Sequence, residues 1–224
     1  IDKGFAQGGY LTNSGKDFWI AMPKNNNLNQ TFIYITSLNS TAGNVILAGR
    51  TIPFNVSAGQ STTVNLSNEA IGFFLDVSSS DVIEKNKSIH ITSLNDVSVY
   101  VLAYQPGSSD AFVAIPTVSL GTEYLISSYN VSLESPYLSY PTNLLIVASE
   151  DNTSVLITPK CDCIGSNSST IAKDIVHEII LNKGDVYQLG SYTNNSDLTG
   201  SYISSDKKIV VYGSNAFTTV PSSI

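Results

Sequence analysis

The chain has 224 residues, 42% of them hydrophobic but only 13% charged, and a net charge of −7. That length fits one or two domains, each large enough to bury a core of its own. Eleven basic residues with no basic run exclude a nucleic-acid groove or an anionic membrane face, since both need clustered Lys and Arg. His90 and His177 are the only histidines, which leaves little material for acid–base or metal chemistry.

In chain order, short runs that alternate apolar and polar residues recur at 31–36, 43–47, 62–66, 88–92, 97–104, 144–148, 154–158, 176–181 and 208–212. They are rich in Val, Ile, Thr and Tyr and separated by Asn, Gly, Ser and Asp, the pattern of strands in a sandwich or barrel. Helical periodicity is weak and confined to 67–75 and 170–176. The longest nearly apolar run, 97–104, is about eight residues against the roughly 20 that span a bilayer. The expected fold is all-β.

The runs also repeat. TFIYITSLNSTAGNVILA at 31–48 is followed about 110 residues later by NLLIVASEDNTSVLITP at 143–159. AGQSTTVNL at 58–66 pairs with NKGDVYQL at 182–189, and KSIHITSLNDVSVY at 87–100 with TGSYISSDKKIVVY at 199–212. Both halves open alike, with DFWI at 17–20 and EYLI at 123–126, and both close on a Pro, at Pro116 and Pro221. Element order kept at a nearly constant offset predicts two tandem β-sandwich domains, 1–119 and 120–224. The segments that interrupt the repeat, 76–86, 130–141 and 161–173, are expected as exposed loops, where recognition concentrates.

Few residues invite chemistry. No nucleophile elbow, phosphate loop or dinucleotide fingerprint occurs. His90 alternates with Ile89 and Ile91, which places it opposite them and toward solvent. Catalytic and cofactor residues are therefore expected to be absent. A carboxylate-only hydrolase would have to use Glu134 and Glu150, the carboxylates nearest the insertion loops. Glu150, Asp151 and Asn152 are weak calcium candidates, with Asp17, Asp110 and Asp185 behind them. The competing reading of Glu150-Asp151-Asn152 is a hairpin turn whose side chains cap the backbone. Cys161 and Cys163 are disulfide candidates, bonded to each other in a strained ring or to a neighbouring chain; zinc would need two further ligands. Tyr137 and Tyr140, in a Pro-flanked insertion, are binding candidates because Tyr offers a rigid face with a polar tip.

Asn-x-Ser/Thr sequons stand at Asn29, Asn39, Asn55, Asn65, Asn86, Asn130, Asn152, Asn167 and Asn194, nine where the Ser and Thr content predicts four or five. They point to N-glycosylation and a secretory route. A start at Ile1 without an initiator Met and an end at Ile224 read as a piece of a longer multidomain protein.

The chain resembles a known family. GKDFWIAMP at 15–23, SSDAFVAIP at 108–116, LGTEY at 120–124, VASEDNT at 147–153 with ITP at 157–159, LNKGDVYQL at 181–189 and DLTGS at 197–201 are similar to the N-terminal domain of IgG Fc-binding proteins. The resemblance implies a large secreted or surface mosaic protein of the mucus or matrix type, with no enzymatic residues to carry over. It also implies a further repeat beyond residue 224. Family cysteines expected after the segment 216–221 are not present here, so the resemblance carries no disulfide pattern onto this chain.

The expected function is a non-catalytic extracellular structural or adhesive module of a matrix, mucus, coat or filament. Its partners would be other protein subunits or copies of itself, without nucleic acid, membrane insertion or cofactor. The alternative is a recognition module that binds a protein or glycan ligand, glycoproteins included, through the 130–141 and 161–173 loops.

Overall fold

The computed structural model describes residues 12–23, 30–67, 74–75, 80–104, 109–129, 142–192 and 196–215. Every regular element among them is a strand or a short 3-10 turn. The first half holds β1 (Ser14–Ile20), β2 (Met22–Pro23), β3 (Gln30–Ser37), β4 (Thr41–Leu47), β5 (Arg50–Val56), β6 (Gln60–Asn65), β7 (Phe74–Leu75), β8 (Val82–Glu84), β9 (Ile89–Tyr104) and β10 (Asp110–Val113). A 3-10 turn at Thr117–Ser119 leads into β11 (Glu123–Leu125), β12 (Thr142–Ala148), β13 (Thr153–Thr158), β14 (Cys163–Ile164) and β15 (Thr170–Ile171). The chain continues through β16 (His177–Leu181), β17 (Val186–Gly190), β18 (Tyr202–Ser205) and β19 (Ile209–Asn215).

Alternation places these strands as physical chemistry requires. In β3, Thr31, Ile33 and Ile35 are buried while Phe32 and Tyr34 point the other way. β5 contains Pro53, which donates no ladder hydrogen bond, and β5 accordingly lies at a sheet edge beside β4. The runs at 88–92 and 97–104 join into one 16-residue strand, β9, with exposed Leu94, Asn95 and Asp96 between them. Its first part lies between β4 and β1, and its second between β3 and β10. One long strand thus joins both parts of a single seven-stranded sheet. Residues 170–176, weakly periodic as a helix, instead form β15 and a turn closed by the Ile175 N–H on the Ala172 carbonyl.

The pairing order β1–β9–β4–β5 of the first half matches β11–β18–β13–β16 of the second, and β9–β3–β6 matches β19–β12–β17. Phe18, Ile20, Ile33, Val45, Ile91 and Val99 centre one apolar core, and Leu144, Ile146, Val155, Ile157, Leu189 and Ile203 centre another. A third cluster joins Trp19, Ala21 and Leu120 to Leu145, Val147, Val186 and Val210. β12 is therefore buried on both faces, which explains the uninterrupted apolar stretch Leu144–Ala148 within it.

The segment 76–86 departs from expectation. Within it, β8 is an antiparallel edge strand on β17, pairing Val82 with Gln188 and Glu84 with Val186. A piece of the first half completes a sheet of the second, because the outer edge of β17 offers unpaired backbone groups for it to satisfy.

Candidate functional site

Three polar arrangements stand out, two of them at the junction between the halves. In the first, Trp19 stacks flat on His90, with ring centroids 4.0 Å apart and 4° between the planes. Gly184 also packs against the indole, and the Lys183 ammonium lies over it, 5.7 Å from the ring centroid. Gly184 has φ +80°, and a Cβ there would stand 2.9 Å from Trp19 Cζ3, so both the backbone and the indole require glycine. The His90 Nε2 lies 2.6 Å from Asp17 Oδ2, and the Thr117 hydroxyl donates to Asp17 Oδ1 at 2.6 Å. Burial alone would raise the Asp17 carboxyl, but the His90 and Thr117 hydrogen bonds and the Lys183 charge together hold it below the usual Asp value. The alternation argument put His90 on the outward face; that face carries the second half, so the ring is mostly covered. The Ser88 hydroxyl donates to the Gly184 carbonyl at 2.7 Å. An open groove of about 280 Å³ runs beside this stack, lined in part by Trp19, His90, Lys85, Asn86 and Lys183.

The second arrangement centres on Asp81, at the start of β8. Its Oδ1 accepts the Tyr187 hydroxyl at 2.9 Å and lies 3.0 Å from His177 Nε2, while Oδ2 accepts the Ser166 N–H at 2.8 Å. Burial pushes the carboxyl up, and these partners overcome it and hold Asp81 below the usual range. The buried Tyr187 hydroxyl is driven above its ordinary value by burial and by the Asp81 charge. Ser80 adds its hydroxyl to the Ile164 carbonyl and accepts the Gly190 N–H at 2.8 Å. Both histidines are thus bound to carboxylates that tie structure together.

The third arrangement is the 161–173 segment. It forms a small hairpin from β14 and β15 around the Ser166–Ser168 turn. Asn167 and Ser168 take the left-handed conformation, at φ 54° and 61°. Residues 166–170 at the tip are all exposed and bear hydroxyl or amide side chains. Ser80 holds it at the Ile164 carbonyl, Asp81 holds the Ser166 N–H where the tip begins, and Asp162 receives the Lys173 N–H at 2.8 Å. A loop fixed this way gives up little entropy when it binds. Cys161 and Cys163 are free thiols. Cys163 is fully buried beneath the hairpin, and its contact with Cys161, together with burial, pushes its thiol up.

The other sequence candidates separate. Asp151 Oδ1 accepts the Lys183 N–H at 3.0 Å, and Thr153 Oγ1 donates to the Glu150 carbonyl at 2.8 Å. The Lys207 ammonium binds the Asp151 and Asn152 carbonyls, occupying the oxygens that a loop cation would use. Asp110 caps the Ala111 N–H, and Asp185 accepts the Asn182 N–H. Among the described residues no three His, Cys, Asp or Glu side chains gather as metal ligands. Asn39, Asn55, Asn65, Asn86, Asn152 and Asn167 are all exposed. Asn29, Asn130, Asn194, Glu134, Tyr137, Tyr140 and the rest of 130–141 lie outside the described residues. The Trp19 stack and the Asp81 node were missed from sequence. Each joins residues about 70 to 106 positions apart, and the one local signal was Trp19, the sole tryptophan, at an outward strand position.

Residues 110–224, from β10 through the whole second half, match the family described as IgGFc binding protein. The chain belongs to this family. The resemblance drawn from the motifs holds for the half of the chain that carries the hairpin and the groups that donate to Asp81. IgGFc-binding family proteins are extracellular, and the domain is a binding rather than an enzymatic one. No helix among the described residues is long and apolar enough to cross a membrane. No curated protein and no solved structure matches the chain.

Proposed function

We propose that the chain is a non-catalytic structural or adhesive module of an exported protein, built as two β-sandwich repeats, 1–119 and 120–224. The observation that carries this reading is the family match over 110–224. The shared pairing order of the two halves supports the repeat, and the exposure of six sequons supports N-glycosylation. Hydrogen-bonded sheets carry load, and their outer faces and edges meet neighbouring subunits. A matrix, mucus, coat or filament is the setting.

The preformed hairpin tip favours a second reading, recognition of a protein or glycan ligand, such as an antibody Fc, through the 161–173 and 130–141 segments. Neither reading uses a metal, a cofactor or a catalytic residue. Peptide mass spectrometry of native material tests the exported setting, with sugar expected at several sequons. Bare asparagines at all nine would remove the N-glycosylated secretory route.

A further inference from the structure

The contact between the halves has an unused counterpart at each end of the molecule. On the donor side, Trp19 of β1 stands directly across from His90 of β9, and the corresponding cross-strand pair of the second half is Leu125 of β11 with Tyr202 of β18. Trp19 is 8% exposed because the second half covers it; Leu125 is 72% and Tyr202 38% exposed. Leu156 and Ile180, outward on the neighbouring strands β13 and β16, extend the apolar part of this face, which also carries exposed Glu123, bonded to Tyr202, and exposed Glu178 across from Leu156.

On the acceptor side, Leu145 faces Tyr212 across β12 and β19, and the third cluster packs there under Trp19 and Ala21. The corresponding pair of the first half is Tyr34 of β3 with Tyr100 of β9, 37% and 41% exposed. Val113 of β10 continues that row opposite Tyr100, 39% exposed. The edges tell the same story. β17 carries β8 on its outer edge, whereas β6, in the corresponding place, pairs with β3 alone among the described residues. Neither β3, β6 nor residues 97–104 contain a charged side chain. The surface therefore has the charge-poor, tyrosine-bearing character of an interface core and lacks the lysines that guard a free sheet edge.

We infer that the chain assembles head to tail with further copies of itself: the Leu125–Tyr202 face of one copy seats on the Tyr34–Tyr100 face of the next, as the first half seats on the second within one chain. This rests on the structural reading proposed above and names its partner and surface. The contact is heterologous, with different patches on the two sides, so it propagates into open chains rather than closing as a dimer.

Sedimentation velocity on the whole chain, made in a host without N-glycosylation so that Asn65 at the border of the acceptor sheet stays bare, reads the assembly directly. Wild type is expected to grow in mass with concentration. Leu125→Asp and Tyr34→Lys, both at exposed positions, should each weaken self-association more than about tenfold, with circular dichroism confirming unchanged folding. An equimolar mixture of the two should form a 1:1 pair that grows no further, since only one intact donor and one intact acceptor remain. A wild type still monomeric at about 1 mM, where a contact of −4.1 kcal/mol would half-form, overturns the inference. So do variants that associate like wild type, or a mixture that stays monomeric. Binding of other proteins by a monomeric chain would leave the proposed adhesive function standing without this interface.

Discussion

Replacing Asp81 should loosen the second half. Asp81→Ala removes the acceptor of the Tyr187 hydroxyl, on a residue only 1% exposed; stranding such a group costs about 1–3 kcal/mol. The His177 contact is partly open to solvent and adds no more than about 0.5 kcal/mol. Asp81 also sits at φ 53°, where alanine costs about 1 kcal/mol more than residues that tolerate the left-handed region. Together these amount to about 2–4 kcal/mol, or a fall in Tm of about 5–12 °C for a chain of this size. Asp81→Asn keeps an acceptor oxygen and the turn conformation and should lose less than half as much. Differential scanning calorimetry reads the Tm, and native-state hydrogen exchange should show lost protection along β17 and β8. A fall below about 2 °C for Asp81→Ala, or unchanged exchange at β17, would refute the assignment of Asp81 as the tie between the halves.

Other perturbations follow from the same contacts. Gly184→Ala adds a Cβ against Trp19 and forces an L residue to φ +80°; it should lower stability by about 2–3 kcal/mol and change the fluorescence of the sole tryptophan. Asp17, Asp81 and Asp197 are all held below the ordinary Asp value when folded, so the unfolded chain takes up protons first. Stability should hold from neutral pH down to the unfolded-state value of about 3.9 and then fall as pH drops toward the folded-state values, a loss that Asp17→Asn and Asp81→Asn each reduce in thermal melts. Timed alkylation of the native protein should label half-buried Cys161 well before Cys163, whose thiol is buried and shifted up; equal rates would contradict the packing of the hairpin base.

The sheets were legible because strands with one buried face alternate, as β3 and β13 do; 144–148 was expected to alternate as well, but β12 is buried on both faces and shows no polar side. The repeat was visible for the same reason, since both halves write the same strand order. β8 was not legible. Three residues carry no usable period, and the β17 edge that makes them a strand lies about 100 residues away. β5 was hidden by Pro53, which reads as a breaker until its edge position is known. His90 was expected to face solvent; it does point away from the first core, but that side is covered by the second half, and a strand pattern does not encode what a distant part of the chain covers. The hairpin at 161–173 was expected as a recognition loop; its anchoring by Ser80 and Asp81 depends on a long-range contact that no local pattern announces.

The central claim is that this chain acts by binding protein surfaces without chemistry, and immobilised native chain probed with antibody Fc and with secreted glycoproteins tests it most directly. Comparison with a Ser166→Ala, Asn167→Gly, Ser168→Gly variant, which keeps the left-handed turn, separates the hairpin from the rest. The account predicts saturable binding, weakened at least about tenfold in the variant if the hairpin is the contact and unchanged in it if the sheet faces are. Absence of saturable binding to any of these proteins, with no self-association either, would contradict it.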